Sequence, residues 1–192
     1  MLHNKYSAII EHFLGDYDRR VYGRELVGKA PMSQKSISLA LNELEKEGVL
    51  KSETVGKMKY FRLNTANPGL KDILLTDEMS RKTRFIRKNR KLALIFREDD
   101  RIVGIFGSYA RGEQKKGSDI DVFVIGPKKQ EDYERAGLKM DLDISVKYFS
   151  EGEFENLLAE KNSLCMEIVK DHVMIFGAEK FIMMLWRSYG FN

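Results

Sequence analysis

The sequence predicts an α+β protein with two modules, a small helical domain at residues 1–70 and a mixed domain of strands and helices at residues 99–192. Apolar residues recur at helical spacing in the first module, and alternating strand patterns begin after residue 101. The charge balance changes at the same place. Lys and Arg outnumber Asp and Glu by 11 to 8 over residues 1–70 and by 10 to 6 over residues 71–101, whereas acids lead by 15 to 12 from residue 102. A basic front and an acidic back indicate different partners for the two modules.

Composition excludes several classes of protein. The chain has 192 residues, 43% of them hydrophobic and 32% charged, which is enough to bury one or two cores. No apolar run approaches the ~20 residues of a membrane-spanning helix, and the first residues lack the order of a signal peptide. A single cysteine, Cys165, excludes an internal disulfide and a cysteine-based zinc cluster. We therefore expect a soluble, cytoplasmic protein.

The first module begins with three predicted helices. Apolar residues at helical spacing predict a helix over residues 5–14, and a shorter helix over residues 23–29 ends before a proline. Ser33 has the residue type of an N-cap, so we expect a third helix to start there and run to Glu47. Gly48 then supplies the C′ residue that ends it.

A basic hairpin is expected next, with strands at residues 49–55 and 58–63 joined by Gly56-Lys57. In this order of elements the segment Ser33–Leu63, which contains LNELEKEGVLKSETVGKMKYFRL, resembles the winged helix-turn-helix family of DNA-binding domains. The resemblance implies that the helix after Ser33 enters the major groove of duplex DNA and that the hairpin contacts phosphates. The DNA-binding residues it implies are Gln34, Lys35, Ser38, Asn42, Lys57 and Lys59. A homodimer is expected. The alternative to DNA binding is a winged helix used only for protein contacts or dimerisation.

A basic segment connects the modules over residues 71–98. A helix is predicted from about residue 77 to residue 96, with seven basic residues between Arg81 and Lys91 and no acid among them. Such a run is typical of a solvated connecting helix, and an additional nucleic-acid contact is the alternative.

The second module has a mixed pattern from residue 102 onward. Strands are predicted at residues 102–106, 118–125 and 139–149, with a short helix after Gly107-Ser108. Two helices, a short strand at residues 173–176 and a final helix follow. This alternation predicts a mixed sheet covered by helices.

Two features of these strands carry chemistry. Where the first strand ends, Gly107 and Ser108 offer backbone N–H groups and a hydroxyl to phosphate oxygens. Asp119 and Asp121 are two apart in the next strand, so both carboxylates point to one face and repel each other unless a cation lies between them. The two features are about a dozen residues apart, so one nucleoside triphosphate would reach both.

The third strand adds further acids to the same patch. Asp141 and Asp143 alternate with apolar residues, so both are expected on the acidic face. Mg²⁺ prefers such carboxylates together with substrate phosphates. We choose Asp143 as the third carboxylate because it is expected nearer the middle of the strand, and Asp141 is the alternative.

The run GSYARGEQKKGSDIDVFVIG resembles the signature of the DNA polymerase beta nucleotidyltransferase superfamily, especially its minimal nucleotidyltransferase branch. The resemblance covers about residues 92–150 and extends into YFSEGEFENLL. It implies that Gly107 and Ser108 hold the triphosphate, that Asp119 and Asp121 bind two Mg²⁺ ions, and that the third carboxylate, Asp143, also binds a metal and assists deprotonation of the acceptor hydroxyl. It further implies transfer of NMP from a nucleoside triphosphate, with ATP the expected donor.

Two functions follow from these patterns. The first is a nucleotidyltransferase that modifies a protein or small acceptor and is coupled to a DNA-binding winged helix. The second is a DNA-binding transcriptional regulator whose nucleotidyltransferase domain only senses nucleotide. A polymerase is not expected, because the stretch after the third strand is too short for a primer-gripping domain. Members of the minimal branch often act with a helical partner protein, so such a partner is implied by the resemblance.

Overall fold

A computed structural model describes residues 2–130 and 132–191 of the chain. The chain divides into two compact units, and the boundary falls between Asp77 and Glu78. None of the helices in the described part of the chain is both long enough and apolar enough to cross a membrane.

The first unit contains helices and a small antiparallel sheet. Its elements are α1 (Leu2–Ile10), β1 (Val21–Tyr22), a one-turn 3₁₀ helix (Gly23–Leu26), α2 (Gln34–Lys46), β2 (Leu50–Val55) and β3 (Met58–Leu63). The strand order is β1-β3-β2, and Leu50 lies opposite Leu63 in the hairpin. The predicted hairpin is therefore confirmed, whereas β1 was not predicted. The predicted second helix is only a 3₁₀ turn, because the chain after Leu26 turns back toward Ala30.

Helix α2 starts and ends where its sequence predicts. The hydroxyl of Ser33 accepts a hydrogen bond from the backbone N–H of Ser36 at 3.2 Å, which satisfies a donor at the helix start. Gly48 has a φ angle of +73°, the left-handed conformation in which glycine ends a helix without steric cost. Ile37, Leu41 and Leu44 are all buried along one face.

The connecting segment forms two helices, α3 (Leu70–Lys88) and α4 (Arg90–Ile95), instead of the single helix predicted. Asn89 separates them with φ and ψ angles of −121° and 59°. Its side-chain amide donates a hydrogen bond to the carbonyl of Phe85 at 3.0 Å. Short polar side chains of this kind compete with the helical backbone, which explains the break.

The second unit is built on a four-stranded mixed sheet. After α4 the elements are β4 (Ile102–Ile105), α5 (Gly107–Arg111), β5 (Ile120–Ile125), α6 (Tyr133–Leu138), β6 (Ile144–Phe149), α7 (Glu151–Ala159), α8 (Ser163–Lys170), β7 (Val173–Phe176) and α9 (Ala178–Ser188). The strand order is β6-β5-β4-β7. Strands β5 and β6 are parallel and the other pairs antiparallel, so the predicted α+β class with a mixed sheet is confirmed.

Apolar residues cover both faces of this sheet. On one face Ile120, Val122 and Val124 belong to a buried cluster that includes Phe85 and Leu92 of the connecting helices. The opposite face packs aromatic rings, with centroids 5.6 Å apart for Phe123 and Phe181 and 6.0 Å for Phe154 and Phe181. Because β5 is buried on both sides, only the residues at its beginning reach solvent.

A buried ion network lies beside the N-terminal end of β4. The guanidinium of Arg101 donates hydrogen bonds to Asp99 at 2.6 Å and to Asp132 at 3.0 Å, and these three side chains are at most 5% exposed. Tyr133 also donates its hydroxyl proton to Asp99 at 2.5 Å. Each carboxylate is paired, as a buried charge requires.

A second buried polar pair joins α3 to the end of α8 within this unit. The ring of His172 contacts the Glu78 carboxylate at 2.9 Å through Nε2, and its Nδ1 atom lies 2.8 Å from the carbonyl of Val169. Both side chains are almost completely buried. His172 is thus a satisfied core residue.

Candidate active site

Asp119 and Asp121 lie at the start of β5. Asp119 immediately precedes the strand and is exposed, and Asp121 is its second residue and is partly buried. Alternate residues of a strand share a face. Since Ile120 and Val122 belong to the cluster under α4, the acidic pair points to the opposite side of the sheet, as the sequence predicts.

Gly107 lies directly against Asp121. A β-carbon placed on Gly107 would be 2.6 Å from the Oδ2 atom of Asp121, closer than real contacts of this kind. Just before it, the backbone N–H of Phe106 donates a hydrogen bond to the carbonyl of Asp121 at 2.9 Å. Ser108 follows in α5 and is partly buried. The Gly-Ser turn and the acidic pair therefore form one site.

The parallel pairing of β5 and β6 brings Asp143 next to Asp119. Ile120 pairs with Ile144, and the backbone N–H of Ile120 donates a hydrogen bond to the carbonyl of Asp143 at 2.8 Å. The preceding residues, Asp119 and Asp143, are therefore neighbours across the two strands. Asp143 is exposed and lies one residue before the strand.

Asp141 is placed differently from the sequence prediction. Strand β6 begins at Ile144, so the predicted strand over residues 139–143 is wrong. Helix α6 ends at Leu138, and the N–H of Leu142 donates back to the carbonyl of Gly137 at 3.0 Å, which closes a turn. Asp141 occupies this turn with a φ angle of +55° and does not share a strand face with Asp143.

The surroundings of Asp121 are strongly acidic. Burial raises the pKa of the Asp121 carboxyl, and the neighbouring carboxylates of Asp119 and Glu167 raise it further, against the opposing effect of Lys147 and Arg111. Glu167 belongs to α8, far along the chain, and the sequence patterns did not identify it. The only indication of Glu167 in the sequence was that it precedes Asp171 by four residues, a spacing that places both acids on one helix face.

Arg111, at the end of α5, forms ion pairs with acids around this site. Its guanidinium lies 2.9 Å from Glu113, 3.4 Å from Glu167 and 3.6 Å from Asp171. The hydrogen bond to Glu113 raises the pKa of Arg111, and burial opposes it. The positive charge of Arg111 on α5 therefore partly neutralises the negative charge of the site.

The donor chemistry of the site fits Mg²⁺. Within residues 2–130 and 132–191 no group of three or more His, Cys, Asp or Glu side chains is close enough to hold a metal by protein ligands alone. Mg²⁺ is usually bound by one or two carboxylates together with substrate phosphates, and it keeps several waters. Asp119 and Asp121, beside a turn open to phosphate, provide such an incomplete set.

The six residues implied to contact DNA are all exposed on the first unit. Gln34, Lys35 and Ser38 lie in the first turns of α2, and Lys57 is in the tight turn of the hairpin. The ammonium group of Lys59 donates a hydrogen bond to Glu45 at 2.6 Å and one to Asn42 at 3.3 Å. Lys59 and Asn42, both predicted to contact DNA, therefore touch each other, and Lys59 already has a carboxylate partner.

Residues 90–181 match the model of the protein family described as Polymerase beta, Nucleotidyltransferase. The match supports similarity of this part of the chain to the polymerase beta superfamily and suggests nucleotidyl transfer in general. The matched region contains the Gly-Ser turn, the acidic pair and Asp143. Neither the curated proteins nor the solved structures gave a match to the chain.

Proposed function

We propose that the second domain is a metal-dependent nucleotidyltransferase that transfers NMP from a nucleoside triphosphate, with ATP the expected donor, to a protein or small acceptor. The observation that carries the proposal is the contact of Gly107 with Asp121, which joins a turn suited to phosphate to a carboxylate pair suited to Mg²⁺. The family match over residues 90–181 supports the same reaction class.

In this proposal each residue of the site has a defined role. Gly107 and Ser108 bind the triphosphate oxygens, with the lack of a side chain at Gly107 leaving room beside Asp121. Asp119 and Asp121 would hold the two Mg²⁺ ions, and Asp143 would contribute to binding one of them. Bound Mg²⁺ would neutralise phosphate charge and make the acceptor hydroxyl easier to deprotonate.

The acceptor hydroxyl then attacks the α-phosphorus of the triphosphate. A new bond forms between the acceptor oxygen and the phosphorus, the bond from that phosphorus to the bridging oxygen breaks, and pyrophosphate leaves. Asp143 takes the hydroxyl proton, because an exposed carboxylate next to Asp119 is within reach of an entering acceptor.

We further propose that the first domain is a winged helix that binds duplex DNA as a homodimer. The exposed polar start of α2 and the exposed Lys57 on the hairpin turn support this role. It favours a second candidate function, a DNA-binding regulator in which the other domain binds nucleotide without transferring it. The resemblance to the minimal branch also keeps a helical partner protein as a candidate acceptor.

The test incubates the full-length protein with labelled ATP, GTP, CTP or UTP, with Mg²⁺ or Mn²⁺ and cell extract. We expect one labelled product from wild type and none from Asp143→Asn, while Asp141→Asn retains activity as the matched control. Nucleotide binding without any labelled product would favour the sensor function. If Asp119→Asn retains both metal-dependent nucleotide binding and transfer, the transferase proposal is wrong.

A further inference from the structure

Lys147 is a cation on the face of the sheet that carries the acidic pair. Ser145 lies opposite Asp121 in the parallel ladder between β5 and β6. Two residues further along, Lys147 lies opposite Phe123. Paired residues of neighbouring strands share a face, as do alternate residues of one strand. Lys147 therefore points to the same side as Asp121, whereas Val146 packs against the apolar cluster on the other side.

The ammonium group of Lys147 has no carboxylate of its own. Lys147 is exposed, and in the part of the chain that the structure describes it makes no ion pair or hydrogen bond. It is still near enough to Asp121 to lower the pKa of that carboxyl. Arg111 has the same effect on Asp121 but is held by three acids. Lys147 is therefore a cation available to a negatively charged ligand of the site.

The order of the strands separates the two sides of the site. The Gly107-Ser108 turn follows β4, the acidic pair lies at the start of β5, and Lys147 belongs to β6. Strands β4 and β6 flank β5, and β6 is an edge of the sheet. In the proposed function the triphosphate binds at the turn, so pyrophosphate leaves on the β4 side. An in-line displacement requires the acceptor oxygen to enter opposite the leaving group, which is the β6 side.

We infer that Lys147 is a further catalytic residue, whose ammonium group binds a non-bridging oxygen of the α-phosphate on the side where the acceptor enters. The inference rests on the proposed function and adds a residue to its site. Lys147 stays protonated throughout, and the hydroxyl proton goes to Asp143. The cation stabilises the negative charge that the oxygens of the transferred group carry in the transition state.

The test compares Lys147→Met, which removes the charge, with Lys147→Arg, which keeps it, in the full-length protein. The matched control is Lys139→Met, at an exposed lysine in the turn after α6. Lys139 lies beside Ile95, a member of the cluster on the other face of the sheet. One measurement is the initial rate of labelled product formation in cell extract at saturating ATP and Mg²⁺. The other is the Kd of the α,β-methylene analogue of ATP with Mg²⁺, by titration calorimetry.

We expect Lys147→Met to lower the rate about 100-fold, because a positioned donor to the developing charge is lost. The Kd of the ATP analogue should stay within about threefold of wild type, since the contact is strongest in the transition state. Lys147→Arg should recover most of the rate, and Lys139→Met should match wild type. All variants should have an unchanged Tm, because both lysines are exposed.

A chemical rescue tests the charge at this position directly. Lys147→Cys is treated with 2-bromoethylamine, which alkylates the thiolate with loss of bromide and restores an ammonium group on a side chain of similar length. Cys165 is completely buried, so the new thiol is the one that reacts. The treated variant should regain a rate about tenfold or more above the untreated one. Treated wild type should be unchanged.

Sulfur substitution tests the contact with the α-phosphate. The two diastereomers of ATPαS place sulfur at one or the other non-bridging oxygen. A lysine that binds one of these oxygens distinguishes the diastereomers. The ratio of their transfer rates with Mg²⁺ should therefore differ between wild type and Lys147→Met.

Three results would overturn the inference. The first is equal slowing in Lys147→Met and Lys139→Met. The second is tighter Mg²⁺ binding by Lys147→Met at an unchanged rate, which would mean that Lys147 only balances the acidic charge. The third is the same ATPαS rate ratio in Lys147→Met and wild type. Failure of the proposed function gives a different result, because wild type would then form no labelled product.

Discussion

Gly107 and Asp121 are so close that a side chain at position 107 would have no space. A β-carbon built on Gly107 would lie 2.6 Å from the Oδ2 atom of Asp121. The φ angle of Gly107 is +67°, a conformation that L side chains rarely adopt. We expect Gly107→Ala to abolish Mg²⁺-dependent ATP binding, because either the turn or the carboxylate must move. Calorimetric titration with ATP and Mg²⁺ measures the effect.

Gly112→Ala is the matched control for this substitution. Gly112 has a similar φ angle of +73°, but a β-carbon there would have no atom within 4 Å. We expect only the conformational cost of about 1–2 kcal/mol in the free energy of unfolding, with ATP binding retained. Equally weak ATP binding in both variants would mean that the contact with Asp121 is unimportant.

Asp121→Asn should raise the Tm of the metal-free protein while abolishing transfer. The neighbouring carboxylates of Asp119 and Glu167 oppose ionisation of Asp121, so removing its charge relieves repulsion at neutral pH. Thermal melts in EDTA and in Mg²⁺ with ATP measure the two effects. An Asp121→Asn protein that melts below wild type in EDTA would show that the repulsion is not significant.

The Arg101 network predicts a loss of stability in acid. Burial raises the pKa of Asp99, but hydrogen bonds from Arg101 and Tyr133 outweigh it and hold the pKa below its ordinary value of 3.8. Burial also raises the pKa of Asp132, but the hydrogen bond from Arg101 lowers it, and the pKa is below its ordinary value overall. The ionised carboxylates therefore stabilise the folded state above about pH 3.8, and this stability is lost as the pH falls through the lower folded values.

Urea unfolding from pH 7 to pH 2.5 tests this prediction. Asp99→Asn should be less stable at pH 7 and lose less stability in acid than wild type. Arg101→Met should cost about 3–5 kcal/mol at pH 7, because it leaves two buried carboxylates without their guanidinium partner. Asp100→Asn, at an aspartate whose side chain is 86% exposed, should have little effect on either quantity. Parallel pH curves for wild type and Asp99→Asn would contradict the assignment.

Cys165 should be unreactive until the protein unfolds. It is completely buried in α8, and burial raises the pKa of its thiol to about 12, so the thiolate is scarce at pH 8. We expect no reaction with a disulfide reagent in buffer and one reacting thiol per chain in urea. Fast labelling of the folded protein would show that α8 opens locally.

Lys57 and Lys59 should contribute differently to DNA binding. Lys57 is exposed on the hairpin turn, and Lys57→Ala should flatten the log–log salt slope by about 0.9. The double variant with Lys59→Ala should flatten it by about two units if both touch phosphates. Because Lys59 is paired with Glu45 at 2.6 Å, Glu45→Gln should strengthen binding.

Glu43→Gln is the control for Glu45→Gln, since it removes one charge from the same helix without releasing a lysine. Fluorescence anisotropy with a labelled duplex at several salt concentrations measures all of these variants. A salt slope unchanged by the double lysine variant would rule out the hairpin as a phosphate contact.

Local sequence patterns predicted the elements of the site better than its surroundings. The start of α2 at Ser33 and its end at Gly48 were predicted correctly, because a helix cap depends on one residue and its immediate neighbours. The closeness of the Gly107-Ser108 turn to the acidic pair was predicted because only about a dozen residues separate them, whereas the direct contact of Gly107 with Asp121 was not. The break at Asn89 and the turn at Asp141 were missed, because apolar spacing does not reveal where a polar side chain or a left-handed residue interrupts an element.

Glu167 was missed for another reason. It lies on α8 and Asp121 lies on β5, two elements distant in the sequence, and only the packing of these elements brings the two carboxylates together.

The pairing of β5 with β6, which the hydrogen bond from Ile120 to Asp143 marks, also indicates which parts of the chain are free to change in length. The neighbouring positions of Asp119 and Asp143 depend on the ladder between β5 and β6, and a slip of one residue would turn these side chains to the other face. The long connection between the two strands, with α6 inside it, does not set that register. Insertions in this connection should leave the carboxylates in place, so this connection is where related chains can diverge in length and a reporter sequence can be inserted.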